Sequence, residues 1–216
     1  MRIRWNGHSS FTITSGDGTV IVTDPYEPGA YGGGIGYHQI GDDPDIVTIS
    51  HDHADHNYTG GFSGDFAEVR EPGTFKGIEF RSVDTFHDES GGSERGTNRI
   101  FIFSVDGITV CHAGDLGHVL SDEEVRSIGP VDVLLAPIGG HFTIDPNQAT
   151  DLLERVRPKI FIPMHYKTDK CGFPIAGVGE FTEGKARVRE IDTDAIELAA
   201  DKLPGEPEVI VLQHAC

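Results

Sequence analysis

Three histidines and two aspartates crowd into one short segment, His51-Asp52-His53-Ala54-Asp55-His56. It directly follows residues 45–50, whose β-branched, apolar character predicts a buried strand. Because side chains alternate along extended backbone, His51 and His53 would point the same way, while Asp55 and His56, after a bend, could serve a second ion. Imidazole and carboxylate together suit zinc, manganese or iron. A His-rich surface loop is the weaker alternative.

A two-ion site needs more ligands than this segment offers, so the fold must bring others to it. Three further candidates follow later predicted strands: His87, Asp115 and His165. Active-site residues are commonly mounted on loops where scaffold elements end. A lone histidine at a strand end is more often a hydrogen-bonded structural residue, but beside the central cluster metal ligation becomes the favoured interpretation.

Strand-like segments dominate the first half of the chain, and strand–helix–strand units dominate the second. Turns at residues 15–18 and 106–107 predict hairpins. Ser121 and Glu124 have the spacing of a capping box at a helix start, and residues 146–156 predict the clearest helix. The 28 glycines indicate many tight turns. This pattern predicts an α/β protein with two sheets covered by helices, in one domain spanning residues 1–216.

The net charge of −18 limits the kinds of partner that the chain can have. A surface this acidic repels nucleic acid, and no Lys/Arg-rich stretch offers a basic docking patch. No apolar run is long enough for a transmembrane helix, and the N-terminus lacks the apolar core of a signal peptide. Three scattered cysteines, Cys111, Cys171 and Cys216, favour unpaired thiols in a reducing cytosol. We therefore predict a cytoplasmic protein with no membrane partner; its oligomeric state is open, a homo-oligomer included.

Several stretches in one order along the chain resemble a known superfamily. They are Gly7-His8-Ser9-Ser10-Phe11, Thr23-Asp24-Pro25, the His51–His56 segment, Cys111-His112-Ala113-Gly114-Asp115, Pro137-Ile138-Gly139-Gly140 with Phe142-Thr143, and Pro163-Met164-His165-Tyr166. The chain resembles metallo-β-lactamase-fold proteins, in the branch of small metal-dependent hydrolases related to ascorbate-6-phosphate lactonase. The resemblance implies an αββα four-layer sandwich with the metals at one edge of the two sheets.

The resemblance also implies a ligand set for two divalent ions. The first ion would be held by His51, His53 and His87, and the second by Asp55, His56 and His165. Asp115 would bridge the two ions. His112 competes with His87 for the place of the third histidine, because it is nearer to Asp115 in the sequence. We prefer His87, which precedes the strand pair leading to Asp115.

The predicted activity is that of a metal-dependent hydrolase in which a metal-activated water cleaves a small, anionic phosphodiester, lactone or related ester. Zinc is the favoured metal, with manganese and iron as alternatives. Asp55 would orient the water, and His141, after a flexible Gly-Gly turn, is a candidate proton donor. His8 is interpreted equally as a pocket residue or as a structural one. Residues 26–44 and 87–98 are the predicted substrate loops.

Two other functions compete with hydrolysis. The first is a non-hydrolytic metal-binding or redox di-iron protein. It is disfavoured because the di-iron relatives usually carry an attached flavin domain and have an acidic residue in place of one cluster histidine, whereas the cluster here has all its histidines. RNA processing is the second, and the acidic charge disfavours it.

Overall fold

The computed structural model describes residues 1–216. Its strands are β1 (Arg2–Gly7), β2 (Ser10–Thr14), β3 (Val20–Thr23), β4 (Ile46–Thr48), β5 (Ala67–Val69), β6 (Gly73–Phe75), β7 (Ile78–Phe86), β8 (Thr97–Val105), β9 (Ile108–His112), β10 (Val133–Pro137), β11 (Ile160–Met164), β12 (Val188–Glu190), β13 (Ala195–Glu197) and β14 (Glu208–Val211). The helices are α1 (Ala30–Gly33), α2 (Asp122–Ile128), α3 (Pro146–Val156) and α4 (Val178–Thr182), with a 3₁₀ turn at Ala200–Lys202.

The strands form two sheets. The six-stranded sheet has the order β13-β1-β2-β3-β4-β5, and the eight-stranded sheet has the order β12-β14-β11-β10-β9-β8-β7-β6. In the second sheet β9, β10, β11 and β14 run parallel, whereas β6, β7 and β8 form an antiparallel meander that joins β9. The two sheets and their helices confirm the predicted α/β architecture.

The main core is a cluster of 40 buried apolar residues drawn from both sheets, and a second cluster has six. Trp5 and Phe11 come from the six-stranded sheet and Phe101 from the eight-stranded one. Helices α2 and α3 add Ile128 and Leu152 to the same cluster. Each such side chain contributes roughly 1.5–3 kcal/mol by leaving water, so the sheets are held by their packing. None of the helices is both long and apolar enough to cross a membrane.

The predicted capping box at the start of α2 is present. The Ser121 side chain accepts a hydrogen bond from the Glu124 amide at 3.2 Å, and the Glu124 carboxylate accepts one from the Ser121 amide at 2.6 Å. We expect Ser121→Ala to lower the free energy of unfolding by about 1 kcal/mol, because the Glu124 amide loses its side-chain partner. Urea denaturation measures this, with Ser93→Ala at an exposed loop position as the control. Equal stability of the two variants would contradict a stabilising cap.

Candidate metal centre

The candidate ligands meet where several strands end. His87 follows β7, Asp115 lies just beyond β9, and His165 follows β11. Strands β9 and β11 are both parallel to β10, and β7 points the same way because β7 and β9 are each antiparallel to β8. Their carboxyl ends therefore share one edge of the sheet. The His51–His56 segment reaches this edge from β4 in the other sheet.

Asp115 lies at the centre of the cluster and is only 1% exposed. Its Oδ2 is 3.1 Å from His56 Nε2 and 3.3 Å from the Nε2 atoms of both His87 and His165. Its Oδ1 accepts a hydrogen bond from the Ser9 hydroxyl at 3.3 Å. One carboxylate therefore faces imidazoles from three separate parts of the chain, as a bridging ligand would.

Two groups of potential ligands flank Asp115. The first contains His51, His53 and His87, and the second contains His8, Asp55, His56 and His165. Within each group, one ligand atom from every residue lies within 4.8 Å of the others. The structure thus brings all seven predicted ligands together, and a third group, Asp24, His51 and His56, connects the two. It also adds His8, whose Nε2 is 3.0 Å from Asp55 Oδ2.

A buried carboxylate, Asp24, accepts hydrogen bonds that orient the histidine cluster. Its Oδ2 accepts a hydrogen bond from His56 Nδ1 at 2.9 Å and another from the Ser50 hydroxyl, while its Oδ1 accepts from the Ser50 amide at 2.8 Å. With its proton given to Asp24, the Ser50 oxygen is an acceptor for His51 Nδ1 at 2.9 Å. Such partners fix the tautomer and orientation of each ring, leaving the opposite nitrogen for a ligand.

The role of Asp24 was missed in the sequence, where Thr23-Asp24-Pro25 was one of the stretches that carry the resemblance but Asp24 was assigned no part in the site. The available signal was its position, since β3 runs parallel to β4 and both end at the site. Asp24 also adopts a left-handed backbone conformation, with φ of 38°. Non-glycine residues in that region are uncommon and concentrate at functional sites. His8 and His165, at φ of 51° and 48°, share this feature.

Burial and neighbouring charges keep several of the donors in forms that bind metal. His56 is the exception: burial lowers its pKa, but Asp115 and Asp55 raise it well above the ordinary value. Burial, helped by His56, lowers the pKa of His51 to about 3, and burial with His165 nearby lowers the pKa of His8 to about 4. Burial alone would raise the pKa of the Asp115 carboxyl, but His165 and His56 hold it well below its ordinary value. Metal ligands must be neutral imidazoles and ionised carboxylates, and His51, His8 and Asp115 meet that condition at neutral pH.

Four buried imidazole nitrogens of the cluster have no well-aligned hydrogen-bond partner: His8 Nδ1, His56 Nε2, His87 Nδ1 and His165 Nδ1. Of these, His56 Nε2 is the one that faces Asp115. Leaving a buried polar atom unsatisfied costs about 1–3 kcal/mol, so such atoms call for a ligand or a water. Imidazole-rich donor sets with carboxylates suit zinc and related transition metals. The residues present therefore fit divalent metal ions.

His112 is occupied elsewhere, although the sequence made it a competitor of His87. Its Nε2 donates to the Ser9 carbonyl at 2.7 Å, and its Nδ1 accepts from the Gly114 amide at 3.3 Å. Both ring nitrogens are thus engaged with backbone. His87, by contrast, lies in the first ligand group.

His141 lies apart from the ligand cluster. It is exposed, adopts φ of 63°, and its ring centroid lies 4.3 Å from that of Phe142. It lines a neighbouring hollow of about 330 Å³ together with acidic residues such as Asp88 and Asp145. Its predicted role as proton donor stays a prediction.

The open cavity over the ligands has a volume of about 320 Å³ and is lined by Tyr31, His53, Asp55, His87, Arg95, Asp115, Phe142, His165 and Phe173. Tyr31 and Arg95 come from the two predicted substrate loops. The Tyr31 hydroxyl donates to Asp55 Oδ1 at 3.1 Å. Sequence patterns gave no signal for Tyr31, because its placement depends on a left-handed backbone turn, at φ of 54°, within a glycine-rich run.

Comparison with known proteins gives consistent matches across the chain. Residues 2–165 match the family described as the beta-lactamase superfamily domain. A UPF0173 metal-dependent hydrolase of Carboxydothermus hydrogenoformans is 32% identical, with 85% of this chain and 91% of that protein covered. One from Nitratidesulfovibrio vulgaris is 33% identical, with 81% of this chain and 82% of that protein covered.

A solved structure from Thermotoga maritima is similar over nearly the whole length. It is described as a candidate Zn-dependent hydrolase of the metallo-beta-lactamase superfamily, and it is 36% identical to this chain. The TM-score is 0.79, and the match covers 98% of this chain and 97% of the other. The similarity therefore extends beyond residue 165 to the C-terminal strands.

Proposed function

We propose that this chain, which belongs to the beta-lactamase superfamily domain family and is a metal-dependent hydrolase, binds two divalent ions and cleaves a small anionic phosphodiester, lactone or related ester. Family membership confirms the resemblance at superfamily level and, with the Thermotoga structure, the αββα fold expected from it. The narrower relation to ascorbate-6-phosphate lactonase stays a prediction.

The position of Asp115 carries the proposal. A buried carboxylate within 3.3 Å of three imidazoles, between two ligand groups, suits a bridge between two ions. His51, His53 and His87 would hold the first ion, and Asp55, His56 and His165 the second. When bound, the ions supply a water of lowered pKa and polarise the bond to be cleaved. Imidazole-rich donors favour zinc, with manganese or iron as alternatives.

The remaining groups of the chain position this machinery. Asp55 is fixed from two sides, by His8 on Oδ2 and by the Tyr31 hydroxyl on Oδ1, so it can orient the attacking water. Two divalent ions carry a formal charge of about +4, and the carboxylates of Asp55 and Asp115 offset only part of it. The pocket is therefore cationic and would attract anions, although the protein as a whole is acidic. His141 would give a proton only to a leaving group that extends past Phe142, since it lies in the adjoining hollow.

Metal content is the first test. Protein purified without chelator should contain about two zinc or manganese ions per chain by elemental analysis, and should then hydrolyse members of a panel of phosphodiesters and lactones. His51→Ala should lose metal and activity together. His38→Ala is the matched control, because His38 is an exposed histidine outside the cluster and should leave both unchanged.

Two results would contradict the proposal. Tightly held iron with visible absorbance and oxygen consumption, but no hydrolysis, would support the redox di-iron alternative. Failure to bind metal after reconstitution would mean that the cluster is structural.

A further inference from the structure

Three aromatic rings stand in a row at the mouth of the cavity: Tyr31, Phe142 and Phe173, here called the aromatic rim. The ring centroids of Tyr31 and Phe173 are 5.7 Å apart, and those of Phe173 and Phe142 are 5.6 Å apart, both edge-to-face. Tyr31 is 55% exposed, and the two phenylalanines are half-buried. Exposed apolar surface that lines a pocket is typical of a ligand-binding wall.

The rim is built by specific backbone pairing between two distant loops. The Gly36 amide donates to the Lys170 carbonyl at 2.8 Å, and the Gly172 amide donates to the Gly34 carbonyl at 2.8 Å. A Cβ at Gly34 would lie 2.6 Å from Phe173 Cε1, so any other residue there would displace the Phe173 ring from its position beside Tyr31. The geometry of the rim is therefore fixed before any ligand arrives.

Arg95 supplies a positive charge at the same wall. Its guanidinium carbon lies 5.5 Å from the centroid of the Phe142 ring, and Arg95 is the only lysine or arginine that lines the cavity. Its one carboxylate partner, Glu94, is at 3.7 Å and largely exposed. The nearby Arg99, by contrast, is tied to Asp84 at 2.6 Å and to a second carboxylate at 2.7 Å. Arg95 is thus free to contact an anion.

From the rim and Arg95 we infer the substrate class: a small anionic ester that carries a flat, aryl-sized group. The anionic end faces the ligand cluster and Arg95, and the flat group lies against the aromatic rim. Aromatic faces attract flat apolar groups, and they also attract cations such as the Arg95 guanidinium. The cavity of about 320 Å³ holds a ligand of this size. This inference rests on the proposed function, because the cluster must hold metal to receive the anion.

Binding of inert phosphonates tests the inference without turnover. Zinc-loaded protein is titrated with phenylphosphonate and with methylphosphonate in a calorimeter. We expect phenylphosphonate to bind at least about tenfold more tightly, because its ring leaves water against the rim. Phe173→Ala should reduce the preference to within about threefold. Phe66→Ala, a half-buried phenylalanine that does not line the cavity, should retain it.

The outcomes separate this inference from the function on which it rests. Equal affinity for the two phosphonates would overturn the aryl preference and leave metal-dependent hydrolysis intact. Failure of both to bind zinc-loaded protein would overturn this inference together with the proposal that the substrate is anionic. If Phe173→Ala does not fold, Phe142→Leu and Phe173→Leu keep the packing volume and should each weaken the preference. An unchanged preference in both would overturn the inference.

Discussion

Replacing Asp115 with alanine should abolish the paired metal site, with at most one ion bound per chain, and should lower turnover by about 10³-fold or more. The reason is geometric. Asp115 Oδ2 is the one carboxylate oxygen that lies within 3.3 Å of three site imidazoles. Without it, His87 loses its carboxylate neighbour, and Asp55 alone remains beside His56 and His165. Elemental analysis and the hydrolysis assay measure the two effects.

The matched control for Asp115 is Asp65→Asn, at an exposed position away from the cluster. It should leave metal content and rate unchanged. Asp115→Asn serves as a second variant, since it keeps the volume of the buried side chain and loses only the charge. Two bound ions and full activity in either Asp115 variant would refute the bridging role.

Replacing His87 and His112 separately should give opposite results. His87→Ala should lose at least one ion per chain and most activity, because it removes a member of the first ligand group. His112→Ala should keep both ions but lower the free energy of unfolding by about 2–4 kcal/mol. That loss follows from a cavity and from leaving the buried Ser9 carbonyl and Gly114 amide without their partners.

Metal analysis and urea denaturation of the chelator-treated proteins distinguish these two histidines. Chelator treatment matters, because bound ions would otherwise add to the stability of one variant and not the other. Loss of metal from His112→Ala, with His87→Ala fully loaded, would reverse the assignment.

Local sequence pattern sufficed where an element is long and regular. The helix predicted over residues 146–156 matches α3, and the strand predicted before His87 is present as β7. Both have many apolar residues at the spacing that their structure requires. The strand-end positions of the candidate ligands followed from the same patterns, because a residue that follows a predicted strand in the sequence must lie at the end of that strand.

The missed elements are short and depend on distant partners. Strand β13 has three residues and exists because Ile196 pairs with Ile3, almost the whole chain away. No local pattern encodes such a pairing. The roles of Tyr31 and Asp24 were missed for a related reason. Each side chain reaches the site because its backbone has a positive φ and because it contacts residues that are distant in the sequence.

The separation of core and ligand cluster bears on how an ion is acquired. The 40-residue core lies in both sheets and includes none of the predicted metal ligands, so the scaffold is complete on hydrophobic packing alone. We therefore expect the chain to fold first and to take up metal afterwards. Selection among divalent ions then depends on which of them the surroundings supply.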